Sequence, residues 1–158
     1  MMLIIHQRLA DAIVRQALAD HPLESCGVLA GPAGTGVPTR CIAMDNAAQS
    51  ECFFRFDSHQ QLRLARDMAQ LGQEAVAIYH SHTGSHAYPS RSDIDYATDP
   101  ALHYLIVSTD AGYPPGLRSF RIGNGHVVEE RIAAVSAYRD VRFNHGLDTG
   151  DTRPATAA

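Results

Sequence analysis

The chain has 158 residues, 45% of them hydrophobic and 19% charged, with 17 acidic side chains against 13 basic ones. That balance is one domain's worth of globular polypeptide and excludes a disordered chain, a collagen and a coiled coil. The apolar runs are too short to cross a bilayer, and no basic stripe favours nucleic-acid binding; every basic residue is arginine, so lysine Schiff-base and phosphate-loop chemistry are excluded.

Residues 2–5 read as a short strand. Gln7–Asp20 reads as a helix, because Leu9, Ile13 and Ala17, with Ala10, Val14 and Leu18 beside them, recur at helical spacing. His21-Pro22 stops it. Ser25–Ala30 is predicted as a buried strand, Gly31–Gly36 as a turn and Arg40–Asp45 as the return strand of a hairpin. Glu51–Phe56 is predicted as a further strand. Ser58, with Gln61 three residues on, carries a capping-box pattern and opens a second helix. Ala65, Met68 and Leu71 are its expected buried face, and Gly72 its C-terminal cap. Glu74–Ser81 is apolar enough for a central strand, Thr83–Pro89 is a loop, and Ser90 caps a short helix through Tyr96. Leu102–Ser108, Leu117–Ile122 and Val127–Ile132 complete the strands, the last two joined by Gly123-Asn124-Gly125. The class expected is α+β, with helices packed on a mostly antiparallel sheet. One domain is expected over 1–142, followed by a flexible tail over 143–158 rich in Gly, Asp, Thr, Pro and Ala. Cys26, Cys41 and Cys52 form no metal-like pair and suit reduced thiols, hence a cytoplasmic protein; the N-terminus has no basic region of the kind that opens a signal peptide.

The segment with chemistry in it is His80-Ser81-His82, ten residues, then Asp93. Side chains alternate along a strand, so both imidazoles point to one face and can share one metal ion. Asp93, in the first turn of the next helix, can add a carboxylate oxygen; it can equally serve only as a capping residue behind Ser90. Two histidines and one carboxylate leave tetrahedral Zn²⁺ an open fourth position, the pattern of a catalytic site. Metal-assisted hydrolysis also needs a general base. Glu24, where helix hands over to strand, is the candidate, its alternative being an exposed loop carboxylate. Cys26 has two readings as well, a small buried strand residue or a nucleophile. Ser81 should face away from the histidines, and His86 falls in an exposed or substrate-facing loop.

Glu24, His80, His82, Ser90 and Asp93, in this order and spacing, resemble the signature of the JAMM (MPN-plus, Mov34/PAD-1-like) zinc metalloproteases. The Glu-x-Cys-Gly-x-Leu-x-Gly string from Glu24 and the Pro-Ser-x-x-Asp string from Pro89 match too. The resemblance spans about residues 2–132 and implies a curved, partly barrel-like sheet between helices, an architecture shared with cytidine deaminases. It implies one Zn²⁺ held by His80, His82 and Asp93, Glu24 as general acid/base, and Ser90 as donor to the developing oxyanion. It further implies hydrolysis of a peptide or isopeptide bond after the C-terminal glycine of a ubiquitin-like protein. The short chain is most similar to small prokaryotic members that act on sulfur-carrier proteins, where the released adduct can be cysteine, and leaves room for a homodimer. Thr83 departs from the family's usual proline. The rivals are a non-catalytic MPN scaffold, which typically lacks the ligands, a cysteine peptidase using Cys26, and a RadC-like protein, against which the string at Glu24 argues. A zinc deaminase lacks its His-x-Glu and Pro-Cys-x-x-Cys parts here.

Overall fold

The stripe of Leu9, Ile13 and Ala17 forms helix α1 (Gln7–Asp20), preceded by strand β1 (Met2–His6). In the computed structural model, which describes residues 1–114 and 116–138, the remaining elements are β2 (Cys26–Pro32), β3 (Arg40–Met44), α2 (Ser58–Gln70), β4 (Gln73–His82), α3 (Arg91–Tyr96), β5 (His103–Ser108), β6 (Leu117–Gly123) and β7 (His126–Val135). The tail expected over 143–158 lies outside the described residues. Among those described, no helix is long and apolar enough to cross a membrane.

The seven strands form one curled sheet in the order β1-β7-β6-β5-β4-β2-β3. Four neighbouring pairs are antiparallel; β1–β7 and β4–β5 are parallel. The α+β class with a mostly antiparallel, half-barrel sheet is therefore what the molecule adopts. One face of the sheet carries α1, whose stripe packs on Leu29, Ala77, Tyr79, Leu105 and Val107. The other face carries two smaller clusters, one of Leu64 and Met68 from α2 with Cys26, Met44, Phe54 and Phe56, the other of Ile94 from α3 with Ile106, Phe120 and Ile122.

Three expectations are corrected. Glu51–Phe56 is not a strand; only Phe56 bridges, to Asn46, and the segment is a loop that packs Phe54 and Phe56 under α2. The α2 cap is Asp57 rather than Ser58, its carboxylate accepting from the Gln60 N–H at 2.9 Å. The helix turns Leu64 and Met68 inward, leaving Ala65 exposed and Leu71 56% exposed, because a leucine at 64 buries far more apolar area than an alanine at 65. Gly72, at φ 62°, does follow the end of the helix as a left-handed residue.

The glycines of the string that begins at Glu24 are packing requirements. A Cβ at Gly27 would lie 2.2 Å from Tyr79 Oη and 2.4 Å from the Ile42 carbonyl oxygen, and one at Gly31 only 1.8 Å from the Val37 carbonyl oxygen. Tyr79 cannot easily yield, since it is fully buried and its hydroxyl donates to Gln16 Oε1 at 2.6 Å. Gly27→Ala is expected to lower the unfolding free energy by about 1–3 kcal/mol or more, read from the urea midpoint. An unchanged midpoint would contradict this packing.

Candidate functional site

The C-terminal end of β4 supplies the first two groups. His80 and His82 lie on one face, as strand alternation requires, and are 4% and 5% exposed. Ser81 points the other way, where its Oγ accepts from the Ser25 N–H at 2.8 Å. The His80 ring stacks on Phe54 at 4.5 Å between centroids. His82 Nδ1 donates to the His86 carbonyl at 2.9 Å, which commits that nitrogen's hydrogen and turns the Nε2 lone pair inward. His86 thus contributes its backbone, while its ring is exposed beside Tyr88 and Tyr113.

Asp93 completes the group. Ser90 caps α3 in a full capping box: its Oγ accepts from the Asp93 N–H at 3.2 Å, and Asp93 Oδ2 accepts from the Ser90 N–H at 2.7 Å. The capping and ligand readings of Asp93 therefore coexist. Its Oδ1 lies 3.3 Å from His80 Nε2 and its Oδ2 3.3 Å from His82 Nε2, while the two nitrogens are 3.0 Å apart. A tetrahedral Zn²⁺ with bonds of about 2.0–2.1 Å needs ligand atoms about 3.3–3.4 Å apart; each imidazole nitrogen has a carboxylate oxygen at that distance, and one ligand atom from each of the three residues lies within 4.8 Å of the others, so the donor set fits the ion.

Glu24 stands at the lip of β2, only 5% exposed rather than on a solvated loop. Its N–H donates to the Ser50 carbonyl at 2.9 Å and its carbonyl accepts from Asn46 Nδ2 at 3.0 Å. Burial raises its carboxyl to about 7; His82 opposes that rise and Asp93 adds to it. Burial also works against ionised Asp93, but hydrogen bonds from His80 and His82 outweigh it and hold the carboxyl well below its usual range. For His80 burial dominates and lowers the pKa; for His82 the Asp93 and His86 acceptors overcome burial and raise it.

Two cavities flank these groups. One of about 550 Å³ is lined by Glu24 with Asp20, Asp45, Asn46 and Asp57. The other, about 440 Å³, reaches His80 and Asp93 and is walled by Phe53, Phe54, Phe56 and Tyr96. The loop from Asn46 to Phe56 borders both. Thr83, in place of the expected proline, donates from Oγ1 to the Glu51 carbonyl at 2.7 Å and so ties this loop to the end of β4. Sequence reading missed Asn46 and Phe54. Asn46 carries only the signal of an ordinary Asx turn, and the Phe53-Phe54-Arg55-Phe56 run reads as strand.

A family model described as prokaryotic homologs of the JAB domain matches residues 6–123. The CysO-cysteine peptidases of Mycobacterium tuberculosis and Mycobacterium bovis are 47% identical to this chain over 137 residues, covering 87% of it and 94% of theirs. The desampylase of Haloferax volcanii is 35% identical over 95 residues, 60% of this chain and 68% of its own. A solution structure of a Desulfitobacterium hafniense protein matches with a TM-score of 0.76 at 30% identity, covering 87% of this chain and 94% of that one.

Cys26 is fully buried, its Sγ 3.6 Å from the Met44 carbonyl oxygen. Burial, with Asp20, Asp45 and Glu24 adding, pushes the thiol up to about 12, so it is no thiolate at neutral pH. Iodoacetamide at about pH 8 should label exposed Cys52 in the native protein and spare Cys26, as read by peptide mass spectrometry. Labelling of Cys26 at the rate of Cys52 would contradict the inert-thiol assignment.

Proposed function

The chain belongs to the prokaryotic JAB family, and on that premise we propose that it is a zinc-dependent peptidase cutting the bond after the C-terminal glycine of a small ubiquitin-like sulfur-carrier protein. The observation that carries this reading is the His80–His82–Asp93 triangle beside a buried carboxyl whose pKa is near neutrality. The names of the mycobacterial and haloarchaeal relatives support the peptidase class and the substrate class. Released cysteine is the product that fits the mycobacterial relatives. Three free cysteines among the described residues accord with a reducing cytoplasm.

His80, His82 and Asp93 would hold the zinc, which when bound would supply Lewis acidity. The protein's own groups do the rest. Glu24 takes a proton from the attacking water and returns it to the leaving amine, work for which a buried carboxylate at the lip of β2 is placed. Ser90 Oγ uses a lone pair on the Asp93 N–H, so its own hydrogen is free to donate to the carbonyl oxygen as negative charge develops. The His86 carbonyl keeps the His82 ring oriented. Neither the scaffold nor the cysteine-peptidase reading gains support: all the metal-type ligands of the motif are kept, unlike in a scaffold, and the Cys26 thiol is buried.

Metal analysis should give about one zinc per chain, lost in His80→Ala and Asp93→Ala. Glu24→Gln should keep the metal while kcat falls by about 10²–10⁴-fold, and Ser90→Ala should cost about 10²–10³-fold. Full zinc retention in His80→Ala, or unchanged turnover in Glu24→Gln, would overturn the assignment of roles.

The substrate reading is tested separately. A carrier–cysteine fusion incubated with the protein should lose the mass of one cysteine residue in intact-mass spectra, and prior removal of metal by a chelator should abolish the loss. Cleavage that persists without metal would exclude the zinc mechanism.

A further inference from the structure

The side chain of Asn46 uses its full hydrogen-bonding capacity. Its Nδ2 donates to the Glu24 carbonyl at 3.0 Å and to the Phe53 carbonyl at 2.9 Å; its Oδ1 accepts from the Ala48 N–H at 3.0 Å and the Arg55 N–H at 3.1 Å. An amide offers two donor hydrogens and one oxygen with two lone pairs, so all four positions are taken. Three of the four partners lie inside the loop that Asn46 opens, and the Ala47 N–H to Arg55 carbonyl bond (2.8 Å) closes the loop's neck. The fourth partner is the backbone of Glu24.

The same loop holds Glu24 a second time, because the Ser50 carbonyl accepts the Glu24 N–H at 2.9 Å. Its far side is fixed to the metal-type ligands: Thr83, next to His82, bonds the Glu51 carbonyl, and Phe54 stacks on the His80 ring. A segment without a strand of its own therefore spans from Glu24 to the two histidines. We propose that Asn46 is a positioning residue that locks this loop as a crosspiece, fixing the backbone of Glu24, and hence its carboxylate, at a set distance from the His80–His82–Asp93 group. The proposal rests on the peptidase reading for its kinetic consequence, but its structural content stands apart from it.

The chemistry explains why an asparagine is required. Aspartate has the same shape and keeps both acceptor contacts, but presents lone pairs where the Glu24 and Phe53 carbonyls need a donor. Alanine removes all four bonds. Proton transfer is sensitive to placement, and a displacement of about 1 Å can cost about 10²-fold in rate. The loss should fall on kcat, since Asn46 meets Glu24 through its backbone and takes no part in holding the metal.

The test uses the full chain with Asn46→Ala and Asn46→Asp. Both are expected to keep one zinc per chain and a KM within about twofold, while kcat falls by about 10–100-fold. Amide hydrogen exchange supplies a readout independent of turnover: Asn46→Ala should expose the Glu24, Ala48 and Arg55 amides while Tyr79 in the central strand stays protected, whereas Asn46→Asp should keep Ala48 and Arg55 protected and still lose kcat. If Asn46→Ala fails to fold, Asn46→Asp carries the kinetic arm. Unchanged kcat in both variants, loss of zinc, or a rise in KM in place of a fall in kcat would overturn the proposal. If the wild-type protein does not cleave the carrier adduct, the peptidase reading fails. The latch is then decided by exchange alone, a Glu24 amide unaffected by Asn46→Ala counting against it.

Discussion

Cys26 lies opposite His80 across the antiparallel ladder of β2 and β4, and the site is built outward from that register. The bond from the Ser81 N–H to the Ser25 carbonyl at 3.0 Å carries the contact of these two segments one residue before Cys26, the first residue of β2, towards Glu24. A slip of one residue would turn both imidazoles onto the α1 face, where Tyr79 and Ser81 now sit. Gly27 protects the register by letting Tyr79 of β4 and the Ile42 carbonyl of β3 approach where no side chain would fit, and Gly31 does the same for the Val37 backbone that follows β2. Gly27 and the ligands thus answer one demand, that β2 and β4 keep the alignment that sets Cys26 against His80, up to the register shift between Leu29 and Ala30.

Asp93 reaches this ladder by a different route. It lies on a six-residue helix, too short to hold itself by propensity. Its carboxylate closes the capping box and meets both histidines, so the contact that starts the helix also aims the carboxylate. Loss of either role would disturb the other. The arrangement depends on Pro89-Ser90 ending the loop where it does, which is why the spacing from His82 matters as much as the identity of the residues.

The parts of the molecule that could be read from sequence are those set by local periodicity or by spacing within one motif. Helix α1, the β2–β3 hairpin, the Ser90 cap and the shared face of His80 and His82 follow from repeats of 3.6 or 2 residues and from capping chemistry. The misreadings come from contacts between distant segments. Phe53, Phe54 and Phe56 have strand-forming character, yet no neighbouring strand offers them a ladder; two of them pack under α2 instead, and Phe54 also stacks on His80. Which of two adjacent residues, Asp57 or Ser58, begins α2 is settled by where that helix docks. Asn46 looked like any turn residue, because nothing local discloses that one of its four hydrogen bonds spans 22 positions to Glu24.

Electrostatics joins the metal and the base in the proposed enzyme. His80 and His82 present nitrogens 3.0 Å apart to one carboxylate, so a second proton between them would be strongly opposed. Their pKa shifts run in opposite directions: burial lowers His80, with His82 adding, whereas at His82 the Asp93 and His86 acceptors overcome burial and raise it. Unaided, the protein can therefore place about one positive charge here against two carboxylates, buried Glu24 and partly buried Asp93. Burial is the main cause that raises Glu24 to about 7; Asp93 adds to the rise and His82 opposes it. A divalent cation in the triangle would reverse the local field and draw Glu24 towards its ionised form, since a bound metal is the largest charge in such a site. Filling the site and readying the base would then be one event, with the base becoming competent as the ion arrives.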